Sequence, residues 1–286
     1  MGVSHASDHI PRRKNRRAGQ RVVIPGQAAF SVNLAGMVRR FGAKAAIRLL
    51  SSARVRRGER VYSLTGFVQT KSLFVHIPKA AGVSVAQALY GNLGYGHRPM
   101  SVYQDIFRDE ALKHIFTFTF VRNPWDRVYS AYRFLKAGGW PEYDADYAET
   151  FLKECDSFEQ FVLEILPRPE AREKLHFRSS LYYLRARDGG MYPFDFIGRY
   201  ETFREDFEKV RKYVNPHARL THLNKTRATR KQGYRDVYTN EMIDMVESIY
   251  GDSIRELGYS FDGFSNTMPG LAKRKAMTQG FRPCVI

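Results

Sequence analysis

The chain has 286 residues, 43% hydrophobic and 14% aromatic, which is enough for one packed α/β domain with extensions and too apolar for a disordered chain. Its formal charge of +17 sits at the ends: residues 1–66 hold 14 Lys and Arg against two acids, residues 263–286 hold four against none, and residues 67–262 hold 28 against 27. The basicity therefore belongs to the ends, and the only two cysteines, Cys155 in an expected helix and Cys284 in the tail, exclude a disulfide framework and a structural zinc.

In chain order, Arg12, Arg13, Lys14, Arg16 and Arg17 mark a solvated basic arm. No 18-residue apolar stretch follows anywhere, so no transmembrane helix is expected. Two lipidation patterns fall short: Ala6 stands where a myristoylation signal needs Ser or Thr, and Cys284 is one residue too close to the end for prenylation. Leu34, Val38, Phe41, Ala45 and Leu49 recur at helical spacing among Arg39, Arg40, Lys44 and Arg48, which predicts a basic amphipathic helix over 34–50. Such a helix docks on its own domain, an anionic membrane surface or an acidic polymer. Residues 1–66 are read as a basic extension, 67–262 as the folded domain and 263–286 as a basic tail.

Residues 71–78, Lys-Ser-Leu-Phe-Val-His-Ile-Pro, read as a buried strand that hands over through Lys79, Ala80, Ala81 and Gly82 to a helix reaching about Leu93. The same grammar recurs as a strand over Ile115–Val121, then Arg122-Asn123-Pro124, then a helix to about Lys136 with proline in its first turn. Helical patterns near 158–166, 203–214 and 239–257, and a strand near 194–199, complete an alternating layout. The expected fold is α/β, a P-loop-like, mostly parallel sheet flanked by helices.

Each strand-to-helix junction is an anion site in prospect, because the first turn of a helix leaves backbone N–H groups without acceptors at the positive end of its dipole. At the first, Gly82 and the alanines let a phosphate approach the backbone, Lys79 supplies a mobile charge and Ser84 a further donor. The nucleotide-triphosphatase signature is absent, since the lysine precedes the glycine and no magnesium-binding hydroxyl stands beside it. At the second, Arg122 ends the strand and Ser130 lies about two turns into the helix. Two anion sites at the carboxyl edge of one sheet suit a nucleotide phosphorylated in two separate places.

These motifs resemble those of sulfotransferases, in particular sulfotransferase family 2 with its carbohydrate and heparan-type 2-O-sulfotransferases. His76-Ile77-Pro78-Lys79-Ala80-Ala81-Gly82-Val83-Ser84 is similar to their 5′-phosphosulfate loop. The run from Phe120 through Val121, Arg122 and Asn123 to Ser130, Ala131 and Tyr132 is similar to their 3′-phosphate motif. The likeness continues through His176-Phe177-Arg178, residues 196–201 and 223–226, Tyr250-Gly251-Asp252 and Leu257-Gly258-Tyr259.

The resemblance implies the donor 3′-phosphoadenosine-5′-phosphosulfate, no metal requirement and a hydroxylated, carbohydrate acceptor. Lys79 would neutralise charge on the transferring group, and Ser84 with the backbone of Ala81, Gly82 and Val83 would hold the 5′-phosphate. Arg122 and Ser130 would hold the 3′-phosphate, and Arg230 and Lys231 would lie in a segment closing over the nucleotide.

An acceptor hydroxyl needs a proton sink, which histidine supplies near neutrality. His97 is chosen, because it follows the first loop helix and precedes the second strand, where heparan-type enzymes are similar in placing their catalytic histidine. His76 and His114 are read as structural and surface residues, and His176 as a substrate contact. Trp125, Tyr129 and Tyr132 read as core aromatics, with stacking on adenine or lining the acceptor cleft as the alternatives, Asp126 as a local pair or cap, and Arg127 and Arg133 as equally open to a solvated role. Two rival functions are weighed: a P-loop kinase-like enzyme, and a basic adaptor for nucleic acid or anionic membrane. The enzyme reading expects no nucleic-acid partner and a cytoplasmic location, with residues 1–60 as a peripheral contact to membrane or acidic glycan.

Overall fold

The computed structural model describes residues 55–57, 60–220 and 233–269. The amphipathic helix expected over 34–50, Arg230, Lys231, residues 223–226 and Cys284 lie outside them. In chain order the elements that position the site are β1 (Val55–Arg57), β2 (Arg60–Tyr62), α1 (Thr65–Gln69), β3 (Ser72–Val75), α2 (Gly82–Tyr90), α3 (Met100–Ile106), β4 (Phe116–Val121) and α4 (Pro124–Lys136). Then follow α5 (Pro141–Tyr147), β5 (Phe196–Arg199), α6 (Phe203–Val214), α7 (Asn240–Leu257), β6 (Tyr259–Ser260) and β7 (Gly263–Phe264), with shorter helical turns between them.

The sheet is parallel, in the order β3-β4-β5, with Val75 opposite Thr119 and Val121 opposite Arg199. β4 is central, so both its edges are paired, and residues on both its faces are buried, Phe118, Phe120 and Val121 fully so, as a near-continuous apolar strand requires. The Thr119 hydroxyl finds its acceptor in the neighbouring strand, donating to the Val75 carbonyl at 2.7 Å. α2 packs with α6, and α4 with α7, so helices flank the sheet as expected. The core reaches back to Leu64 and Phe67, 1% and 2% exposed.

Helix ends follow local chemistry. Asn123 caps α4 by accepting from the Trp125 N–H at 3.1 Å, Pro124 opens it, and Arg133 and Lys136 close it. α6 carries Glu205 and Asp206 in its first turn and Arg211 and Lys212 in its last, and buries Phe207, Val210 and Val214. The helix expected to reach Leu93 stops at Tyr90, because Gly91 adopts φ 65° and caps it. The strand expected over 71–78 is only Ser72–Val75, since the chain turns for the junction at His76.

Two expectations are corrected. Cys155 lies not in a helix but in the loop between the π-helical turn Ala148–Leu152 and Phe158, where it is buried. Arg127 is not solvated: it is 1% exposed and donates to the carbonyls of His176 at 2.9 Å and Arg178 at 2.7 Å. The α4 face bearing Trp125 and Val128 turns inward and takes Arg127 with it, so two backbone acceptors replace water. Trp125 and Tyr132 are buried with this face, as read from the sequence, and His114 is exposed.

Candidate functional site

The site begins where β3 and β4 end side by side. After β3 the chain makes a turn in which Lys79 and Ala81 take left-handed backbone angles, φ 66° and 63°. Neither is glycine, so the loop stores roughly 1–2 kcal/mol per residue that the surrounding packing must hold. Ala81 is the N-cap of α2, and the first helical bond runs from the Val85 N–H to the Ala81 carbonyl at 3.2 Å. The N–H groups of Gly82, Val83 and Ser84 therefore lie in the first turn, where the helix itself provides no acceptor.

Gly82 is there because of His76. A Cβ at position 82 would lie 1.8 Å from His76 Cδ2. The imidazole, 5% exposed and stacked on Phe74 at 5.6 Å between ring centroids, lies directly against the glycine backbone.

Arg122, at the end of β4, joins the two junctions. Its Nε and one terminal nitrogen donate to the two oxygens of Asp126 at 2.7 and 2.8 Å, and the other terminal nitrogen donates to the Lys79 carbonyl at 2.9 Å. The Tyr200 ring covers the guanidinium at 3.9 Å. Three of five N–H donors are thus engaged, which leaves two for an anion. Asp126 pairs locally, as anticipated. The Asn123 N–H donates to Glu201 Oε1 at 2.7 Å and its side-chain amide to the Ser260 carbonyl at 2.8 Å, which fixes this junction to the ends of β5 and β6. Ser130 sits half-buried on α4.

His97 reaches the same edge from the segment after α2. Its Nδ1 lies 3.1 Å from the His76 carbonyl, and the two imidazoles are 4.0 Å apart between centroids. A carbonyl only accepts, so Nδ1 carries the hydrogen and Nε2 keeps its lone pair.

Beyond Lys79 lies a wall that the sequence did not announce. The Lys79 ammonium rests on the Phe134 ring at 4.0 Å, and His176 meets the same ring edge-on at 5.3 Å. His176, 7% exposed, faces Asp144 on α5, Nε2 to Oδ2 3.6 Å. The Asp144 carboxylate, 2% exposed, also receives Lys174 at 2.7 Å and the Trp140 N–H at 2.9 Å. Phe134, Asp144 and Lys174 were missed. Phe134 alone carried a signal, one helical turn after Ser130 on the same helix.

A family model described as Sulfotransferase family matches residues 69–260. The chain belongs to the sulfotransferase family. Comparison with curated proteins and with solved structures gives no match. The sulfotransferase match spans both junctions, the three parallel strands and the segment that carries His176.

The electrostatics at these junctions are those of partly buried cations and histidines. Burial, and then the neighbouring Arg122 charge, lower Lys79 to about 8, with Asp144 acting the other way. Burial likewise pushes His97 down to about 4, against the opposing pull of the His76 carbonyl and Asp144. His76 is also held well below the usual histidine range by burial and then by the adjoining His97, and His176 by burial and then by His97, Lys79, Lys174 and Arg127.

All three histidines are neutral in the folded protein near pH 7, whereas unfolded they titrate near about 6.5. Below that pH the unfolded chain takes up protons that the folded chain refuses, so stability is complete above about 6.5 and declines as pH falls towards 4. Calorimetric unfolding is expected to show a melting temperature that drops steadily from pH 6.5 to 4.5. A flat profile over that range would contradict the neutral state of these rings, of which His76 and His176 are buried and His97 half-buried.

Proposed function

We propose that this sulfotransferase moves a sulfuryl group from 3′-phosphoadenosine-5′-phosphosulfate to a hydroxyl, on a carbohydrate acceptor. The observation that carries the reading is the hydrogen bond from Arg122 to the Lys79 carbonyl, which unites two anion-ready junctions on adjacent parallel strands. A donor with phosphates at its 5′ and 3′ positions fits that pair. The first junction offers first-turn N–H groups and a lysine, and Arg122 retains two N–H donors. When bound, the donor supplies an activated sulfuryl group on its 5′-phosphate.

In this reading the backbone of Ala81, Gly82, Val83 and Ser84, with the Ser84 hydroxyl, holds the 5′-phosphate, and Arg122 with Ser130 holds the 3′-phosphate. Lys79 places its ammonium against the oxygens that gain charge as the sulfur–oxygen bond breaks, and Phe134 keeps that ammonium from wandering. His97 takes the acceptor proton on Nε2, the nitrogen left basic by the bond to the His76 carbonyl. His176 is assigned to the acceptor side of Lys79, across Phe134. Arg230 and Lys231 stay in the assignment on family resemblance, as does the carbohydrate class of the acceptor.

Isothermal titration with adenosine 3′,5′-bisphosphate and with AMP tests the donor. The bisphosphate is expected to bind about 100-fold more tightly than AMP, the margin of two or so charge-assisted hydrogen bonds. Equal affinity for the two, or no binding by a folded protein, would remove the reading.

A further inference from the structure

Arg122 makes a contact that a simple phosphate ligand has no need of. Its guanidinium is held on three sides: the Asp126 carboxylate takes one edge in a two-point fork, the Tyr200 ring covers a face, and the Lys79 carbonyl accepts from the remaining terminal nitrogen. The ion pair is well sheltered, its side chains 12% and 19% exposed. Asp126 is in the first turn of α4, where a carboxylate is favoured and its backbone is fixed by the Asn123 cap. The acceptor of the third bond belongs to the other junction, and to the residue whose φ of 66° begins the left-handed turn.

A non-glycine residue persists in that region only where its surroundings hold it. The Lys79–Ala80 peptide is fastened at its carbonyl by the Arg122 bond at 2.9 Å and, more weakly, at its N–H by the Ile77 carbonyl at 3.4 Å, while the ammonium reaches away to Phe134. Opening this turn would swing the Lys79 peptide and rotate the first N–H groups of α2 away from a common point.

We propose that Arg122, braced by Asp126, is a positioning residue of the first phosphate loop as well as a 3′-phosphate ligand: it holds the Lys79 peptide in the left-handed turn that receives a 5′-phosphate. The inference rests on the donor reading above, and it makes the two phosphate sites one mechanical unit.

AMP, which has no 3′-phosphate, separates the two roles. Titrations of AMP and of adenosine 3′,5′-bisphosphate are compared for the wild type, Arg122→Ala, Arg122→Lys and Asp126→Ala, each with its melting temperature. Loss of one hydrogen bond and its brace is expected to weaken AMP by about three- to tenfold in all three variants. Arg122→Lys keeps the charge but lacks the fork, so it serves if the alanine variant does not fold.

The sign for Asp126→Ala is the sharper result. Removing a negative charge beside a phosphate site should tighten binding by electrostatics alone, whereas loss of the brace weakens it. The proposal is overturned if Arg122→Ala lowers the bisphosphate to the level of AMP while AMP itself is unchanged, or if Asp126→Ala binds AMP as well as the wild type or better. A wild type that binds neither nucleotide would instead overturn the donor reading, and this proposal with it.

Discussion

Lys79→Ala is expected to lower the rate of sulfuryl transfer by about 10²–10³-fold, the usual effect of removing one preorganised charge or donor from a developing anion. Binding of adenosine 3′,5′-bisphosphate, which lacks the sulfuryl group, should change by less than about tenfold, because the lysine acts mainly where charge develops. The measurement is the initial rate of donor consumption at saturating donor, with a sugar hydroxyl or water as acceptor, beside a calorimetric Kd. A parallel loss in both quantities would mean that Lys79 is only a nucleotide ligand.

The same residue sets a pH limit. Lys79 is lowered to about 8, first by burial and then by Arg122, so its working, charged form prevails below that pH. The wild-type rate should therefore fall as pH rises through about 8, and the alanine variant should lose that limb. His97, pushed down to about 4, is already unprotonated across the range and imposes no limit near neutrality. A wild-type rate that is level from pH 7 to 10 would show that the Lys79 charge is not used.

Gly82→Ala is expected to cost about 3 kcal/mol or more of folding stability, at the upper end for an overpacked site. The backbone angle at Gly82 is helical, so the cost is purely one of contact. The added Cβ would stand 1.8 Å from His76 Cδ2 and 2.1 Å from Nε2. His76 has nowhere to go, because it is buried between the Phe74 ring and the His97 ring, 5.6 and 4.0 Å away between centroids. For a domain of this size the melting temperature should drop by about 6–12 °C, and nucleotide binding should fall with it, since relief requires moving the first turn of α2.

Gly263→Ala is the matching control. Nothing lies within 4 Å of a Cβ there, so the melting temperature should barely move. A Gly82→Ala protein as stable as the control would mean that His76 relocates freely, contrary to its packing.

Both junctions, with their residues in order, could be read from the sequence, because a buried strand, a turn and a helix start are each written within about ten residues. The ends of α4 and α6 follow from caps and charges in the same way. Other features had no local signature. The β1–β2 and β6–β7 pairs are short, and the helix expected at Cys155 is not formed there, since the helical turn ends at Leu152. The reading of Arg127 as solvated failed as well. Charge alone points to water, and only the carbonyls of His176 and Arg178, some fifty residues on, make burial tolerable.

By itself, then, the sequence determined the parallel α/β plan, the sulfotransferase-like loops and the cations Lys79 and Arg122 at their ends. Tertiary structure decided how those cations are employed. It gave Arg122 the Lys79 carbonyl as a partner, laid Lys79 on Phe134, and brought Asp144 from a separate segment to meet both Lys174 and His176. The physical reason is range. Hydrophobic period, capping and turn chemistry act between near neighbours along the chain, whereas the partner of a buried charge is whichever group the packing of distant segments delivers within about 3 Å.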